Sequence, residues 1–244
     1  MRPLIIIPAR GGSKGIPRKK IRPLAGRPLI AYSIDLAAAV ARRYSLPQEN
    51  IILSTDDEEI ATVAESCGLP VPYRRPASLA TDTAGSREMM IDAMDYADSR
   101  GITYNCILLL QPTSPLRRES DITGSLELYQ SAGPDMVVSV KEASANPYYN
   151  CFETNPDTGT LHISKGNGTL TRRQDAPRAW EFNGAVYVIN PDSLRAMPMG
   201  LFPRRIPYEM PPERSVDLDT PLDWAVAETI MNHLSSSQPC NATS

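Results

Sequence analysis

The chain predicts an α/β fold of three layers, a mostly parallel sheet covered by helices on both faces. Three observations carry this: strand-sized apolar runs without polar alternation, helix-spaced apolar residues between them, and loops rich in glycine or polar residues after the strands. Residues 4–7, all Leu or Ile, read as a strand buried on both faces that breaks at Pro8. Leu29, Ile30, Ile34, Ala37, Val40 and Ala41 recur at helical spacing, and residues 51–53 give a second buried strand, closing one βαβ unit. Ile60, Val63 and Ala64 predict a short helix ended by Gly68, and residues 89–97 predict another. Residues 106–110 and 136–140 are further strands, with a helix around residues 126–129 between them.

From residue 141 to 182 the rhythm is broken by Asn146-Pro147, Asn155-Pro156 and Gly166-Asn167-Gly168, turn signals that separate short strands. This stretch reads as an inserted arm between the main-domain segments 1–140 and 183–234. Residues 184–189 return to a buried strand, and Asp219-Thr220-Pro221 supplies a cap and a first-turn proline for a helix running to about Leu234. Residues 235–244 read as a disordered tail. In such sheets ligands bind beyond the carboxyl ends of the strands.

The composition excludes several classes. With 244 residues and 41% hydrophobic content the chain can bury one full core. A formal charge of -3 and 6% aromatics show neither a basic excess nor a stacking surface for nucleic acid, so an anionic ligand must meet a local basic cluster. The apolar runs are too short for a membrane span, and no signal-peptide core follows Met1. Cys67, Cys106, Cys151 and Cys240 form no C-x-x-C pair, which argues against a zinc site and for a reducing, cytoplasmic compartment. His162 and His233 are isolated, so triad chemistry has no support.

The local basic cluster follows the first strand. Residues 8–20 hold three glycines and five basic side chains, with Ala9, Arg10, Gly11, Gly12, Ser13, Lys14, Lys19 and Lys20 as its candidate ligand contacts. Glycines let backbone amides approach phosphate oxygens, and Arg and Lys neutralise a triphosphate. The pattern is neither G-x-x-x-x-G-K-[ST] nor G-x-G-x-x-G, which disfavours a P-loop NTPase and a dinucleotide fold. A solvated basic loop or a targeting patch is the bland alternative. Asp217 and Asp219, at alternate positions of an extended segment, present two hard oxygen ligands to one side and suit Mg²⁺, with Mn²⁺ as the substitute. The competing role for Asp219 is simply to cap the next helix. Asp56, Asp57, Glu58 and Glu59 read as a cap and acidic first turn rather than as a metal cluster.

Five segments in order resemble the acylneuraminate cytidylyltransferases, the CMP–sialic acid synthetases: the basic loop, Arg75 through Thr83, Gln111-Pro112-Thr113-Ser114-Pro115-Leu116-Arg117, Arg172-Arg173-Gln174 before Asn183-Gly184-Ala185-Val186-Tyr187, and Val216-Asp217-Leu218-Asp219-Thr220. The resemblance covers roughly residues 3–230. It implies a Rossmann-like nucleotidyltransferase domain with a small dimerisation arm, and transfer of CMP from CTP to a sialic-type sugar acid. It also implies catalytic roles for Arg10, Lys14, Lys19, Asp217 and Asp219, with both aspartates on the metal. Arg75, Ala80 and Ser86 would join the nucleotide site. Gln111 and Arg173 would serve the sugar, with Arg173 reaching the partner's site in a homodimer; from the residues alone a loop-fixing bond and a solvated pair with Arg172 are their alternatives, and Tyr187 and Phe202 are candidate apolar walls for the sugar with plain core as the alternative. Legionaminic, pseudaminic or phosphonate-type acids are the alternatives within the class, and a non-catalytic nucleotide or sugar sensor is the alternative outside it. Two positions depart from the family pattern. The loop commonly ends Lys-Asn where this chain has Lys19-Lys20, and some sialic acid enzymes carry a partner-subunit lysine where Tyr149 stands.

Overall fold

A computed structural model describes residues 1–12 and 15–236. In chain order its strands are β1 (Pro3–Pro8), β2 (Pro23–Leu24), β3 (Arg27–Pro28), β4 (Ile51–Ser54), β5 (Cys106–Leu109), β6 (Met136–Glu142), β7 (Phe152–Thr154), β8 (Leu161–Ile163), β9 (Trp180–Ile189) and β10 (Arg205–Glu209). The helices are α1 (Leu29–Arg43), α2 (Glu58–Ser66), α3 (Ser86–Ser99), α4 (Glu119–Ala132), α5 (Pro191–Ala196) and α6 (Pro221–Ser236). Six strands form the main sheet in the order β10-β6-β9-β5-β1-β4.

The uninterrupted apolar strands are buried on both faces, as their sequence predicts. Ile5 and Ile7 of β1 pack into one core with Ile30, Ile34 and Val40 of α1, whereas Leu4 and Ile6 pack into the other with Met89, Met90 and Met94 of α3. Each fully buried Leu or Ile contributes about 1.5–3 kcal/mol relative to exposure, so the two faces lock β1 at the sheet centre. A third apolar cluster, including Ile16, Leu29, Leu218 and Trp224, sits where the loop after β1 meets the start of α6.

The sheet is mostly parallel, and β9 is its exception. It runs antiparallel to both β5 and β6, because the chain leaves β6, makes the excursion through β7 and β8, and comes back alongside. Pairing between β6 and β9 is interrupted: Val138 faces Tyr187 and Val140 faces Phe182, so residues 183–186 bulge opposite Ser139 alone. Side chains replace the missing ladder. Ser139 Oγ donates to Asn183 Oδ1 at 2.6 Å and accepts from Val186 N at 2.7 Å, and Asn183 Nδ2 donates to Ser215 Oγ at 2.9 Å. All three polar side chains are buried.

Strand β10 has no counterpart in the sequence reading. Pro207 lies within it and charged residues bound it, a composition that a sheet tolerates at its edge, where β10 pairs in parallel with β6. The β2–β3 hairpin was likewise not anticipated; it turns through Ala25 and Gly26, both at positive φ, and delivers the chain into α1. Helix α6 reaches Ser236, two residues beyond its expected end and into the expected tail, the rest of which lies outside the described residues. Among the described residues no helix is long and apolar enough to cross a membrane.

Candidate active site

Strands β1, β4 and β5 are parallel, and beyond their carboxyl ends opens a cleft of about 590 Å³. Arg10, Gly12, Lys19, Lys20, Arg75, Ser86, Gln111, Asp217 and Asp219, nine of the residues singled out from sequence, line it together. Segments separated by some two hundred positions therefore converge on one pocket, where strand topology predicts a ligand.

The loop after β1 is built by acids on the neighbouring strand end. Ala9 N bonds Ser54 O at 2.8 Å, and Gly11 N donates to Asp56 Oδ1 at 3.0 Å. Asp57 caps α2 by accepting from Ile60 N at 2.9 Å and also pairs with Arg18 at 2.7 Å, which holds its carboxyl below the usual range. The acidic cluster is thus a cap and a loop anchor. Arg75 is buried and donates to Ser54 Oγ at 2.9 Å and Ser54 O at 2.6 Å, fixing the 75–80 segment to the end of β4. Arg10 reaches Asp82 at 2.6 Å and Ala80 O at 3.5 Å, closing the rim between the two segments.

The two aspartates sit differently. Thr220, not Asp219, caps α6: Thr220 N and Oγ1 both donate to Asp223 Oδ2 at 2.7 Å, and Asp223 N returns a bond to Thr220 Oγ1 at 3.3 Å. Capping is thereby done by a neighbour, and the Asp219 carboxylate, 72% exposed, faces the cleft with Lys19 Nζ at 3.0 Å. Lys19 also donates to Leu218 O at 2.5 Å, pinning the acidic segment onto the basic loop, and Gly15 allows this approach because a Cβ there would strike the Asp219 carbonyl. Asp217 lies deeper. Burial raises its pKa, opposed by a hydrogen bond from Thr113. Its Oδ1 is buried and has no hydrogen-bond partner among the described residues. An unpartnered carboxylate oxygen beside an exposed second carboxylate is a donor set that a hard divalent cation fits. Among the described residues no group of three or more His, Cys, Asp or Glu could hold a metal ion. Lys20 faces the same carboxylates; burial, then the adjacent Lys19, pulls its ammonium down to about 8.

Other expected residues are not in this cleft. Phe202 is a core residue, 1% exposed among Leu194 and its neighbours, because an aromatic next to the sheet gains more by full burial than at a wall. Tyr187 is half-buried on β9, edge-on to Phe182, with burial and then Asp217 raising its hydroxyl pKa. It does not line the cleft. Arg173 is exposed beyond β8 and donates to Ala143 O at 2.7 Å. Ser13 and Lys14 lie outside the described residues.

Thr113, Asn183 and Gly184 stand in the segments singled out from sequence, with no role expected of them there. Gly184 has φ +73°, and a Cβ on it would come 3.2 Å from Asp217 Oδ2. The Ser139–Asn183–Ser215 network holds this turn and the start of the acidic segment together. The signal available was a glycine within an otherwise apolar strand, which marks a bulge or a close approach.

Comparison with known proteins shows the family. The family model described as Cytidylyltransferase matches residues 4–233. The chain is 34% identical to a CMP-N,N'-diacetyllegionaminic acid synthase of Legionella pneumophila, covering 95% of this chain and 97% of that one. It is 36% identical to an N-acylneuraminate cytidylyltransferase of Streptococcus agalactiae, over 92% of this chain and 52% of that protein, so it spans about half of that relative's length. A solved CMP:2-keto-3-deoxy-manno-octonic acid synthetase complexed with CTP superposes with a TM-score of 0.67 at 18% identity, over 96% of this chain and all of that one, a likeness of fold.

Proposed function

The chain belongs to the cytidylyltransferase family, and from that premise we propose that it transfers CMP from CTP to the anomeric hydroxyl of a nine-carbon α-keto sugar acid. It is a nucleotidyltransferase; the acid we name first is N-acetylneuraminate. The observation that carries the reading is the convergence of Arg10, Lys19 and Lys20 with Asp217 and Asp219 in one cleft beyond the parallel strands.

In the reaction the acid's C2 hydroxyl oxygen bonds to the α-phosphorus, the bond from that phosphorus to the bridging oxygen breaks, and pyrophosphate leaves with the electron pair. Arg10, Lys14 and Lys19 hold phosphate oxygens, and Arg75, Ala80 and Ser86 shape the nucleotide side. Gln111, at the end of β5, offers an amide to a sugar hydroxyl or acetamido group. Catalysis comes from alignment and from fixed charge around the triphosphate, with no covalent intermediate on the protein. Asp217 and Asp219 would hold Mg²⁺ or Mn²⁺, which supplies charge neutralisation and acidifies the hydroxyl. No histidine lines the cleft among the described residues, and the hydroxyl gives up its proton as its oxygen bonds to phosphorus. In the homodimer, Arg173 on the arm spanning residues 141–182 meets the carboxylate bound by the partner, with a forked guanidinium suited to it.

A second reading, N,N'-diacetyllegionaminate as the acid, is supported by the relative that matches over nearly its whole length. Pyrophosphate release from CTP, UTP, ATP and GTP against N-acetylneuraminate, diacetyllegionaminate and pseudaminate tests both. Release with CTP alone and one preferred acid is expected; release with none of the acids would overturn the reading.

A further inference from the structure

The four described cations that line the cleft are not equivalent. Arg10 is engaged by Asp82 and Ala80 O. Arg75 spends its guanidinium on Ser54. Lys19, only 7% exposed, gives its ammonium to Leu218 O and Asp219. Lys20 alone of the four makes no hydrogen bond or ion pair among the described residues, although its backbone is fixed by a 2.8 Å bond from Ile30 N to its carbonyl. Its charged surroundings are Asp217 and Asp219, which attract it, and Lys19 and Arg10, which repel it.

An ammonium partly withdrawn from water without a partner is a cost to the fold, which an anionic ligand offsets. A lysine already committed to a carbonyl and a carboxylate must break bonds to serve the same ligand. We infer that Lys20 is the cleft's open phosphate-binding cation, which meets the nucleotide while Lys19 still ties down the acidic segment and before Lys19 turns to the phosphates, so nucleotide binds before the divalent cation. The order follows from charge. Before nucleotide arrives, the Lys20 ammonium disfavours a second cation at Asp217; once phosphate oxygens engage Lys20, they add negative ligands beside the two carboxylates. The inference rests on the nucleotidyltransferase reading and adds to it a division of labour between adjacent lysines.

The test compares full-length wild type, Lys20→Met and Lys19→Met in three measurements: calorimetric binding of CTP, binding of Mn²⁺ alone followed by electron paramagnetic resonance, and thermal unfolding without ligand. For Lys20→Met, CTP affinity falls roughly tenfold to a hundredfold, the size of one charge-assisted hydrogen bond. Its Mn²⁺ affinity without nucleotide rises severalfold, and its melting temperature is unchanged or higher. Lys19→Met melts lower than wild type, since it loses both ties to the acidic segment. Lys20→Met that binds CTP as wild type does, binds Mn²⁺ more weakly, or melts lower would overturn the inference while leaving the proposed reaction standing. Wild type that binds none of CTP, UTP, ATP or GTP would instead sink the nucleotidyltransferase reading on which it rests.

Discussion

The cleft and the excursion between β6 and β9 are built on opposite principles. Around the cleft nearly every charged side chain is already tied to backbone or to an opposite charge: Asp56 to Gly11, Asp57 to α2, Arg75 to Ser54, Lys19 to Leu218. In the excursion, order comes from short turns about Asn146, which donates to Pro177 O at 2.8 Å and accepts from Tyr148 N at 2.9 Å, while Phe152 and Leu161 stand 53% and 68% exposed. The first region is preorganised for a ligand before it arrives. The second presents apolar and basic surface outward, and the sugar-side Arg173 sits on it rather than in the cleft. On the proposed reading the nucleotide side is held by one chain's cleft, and the acid side draws on Arg173 of a second copy.

The largest effect that would break this contrast is at Asp217. Asp217→Asn lowers turnover on the order of 10²–10³-fold, read as pyrophosphate release, because it removes an anionic ligand of the divalent cation that would neutralise the triphosphate. The same substitution stabilises the protein without metal. A carboxyl whose folded pKa is raised contributes most below its unfolded pKa and loses that contribution as pH rises through the folded value, so at pH 7 the ionised Asp217 is a burden. Thermal unfolding in chelator then shows a higher melting temperature, about 2–4 °C for each kcal/mol relieved.

Arg173→Ala raises the KM for the acid by roughly tenfold to a hundredfold, the loss of one charge-assisted pair, and leaves the KM for CTP unchanged. Mixing Arg173→Ala and Asp217→Asn chains restores part of the activity when the arm serves the partner's site; no restoration would place the acid site within one chain. Smaller effects fall on the support beneath Asp217. Asn183→Ala removes one buried hydrogen bond from each of Ser139 and Ser215 and costs about 1–3 kcal/mol in urea unfolding. Gly184→Ala costs about 1–2 kcal/mol for an L-residue at positive φ and crowds the Asp217 carboxylate, so activity falls as well.

Legibility followed physics. The double-sided strands β1, β4 and β5 were readable because full burial removes polar residues, and the loop beyond β1 was readable because phosphate chemistry needs glycine and basic residues together. Strand β10 was hidden because an edge strand carrying Pro207 has the composition of a loop. The antiparallel entry of β9 was hidden because direction is set by the connection, not by the strand's own residues. Of the two roles open to Phe202, sugar wall or core, the fold takes core, a choice that composition leaves open because it does not say which face an aromatic covers. The tie from Lys19 to Leu218 and the isolation of Lys20 depend on segments some two hundred residues apart, so adjacent lysines with opposite roles look identical in sequence.

Phosphorus NMR of a reaction holding CTP, Mg²⁺ and N-acetylneuraminate, repeated with diacetyllegionaminate, tests the central claim most directly. The account predicts a phosphodiester signal of a CMP-sugar growing with pyrophosphate in equal amount, for CTP and not for UTP. Loss of CTP to CDP and inorganic phosphate, or no change with either acid, would contradict it.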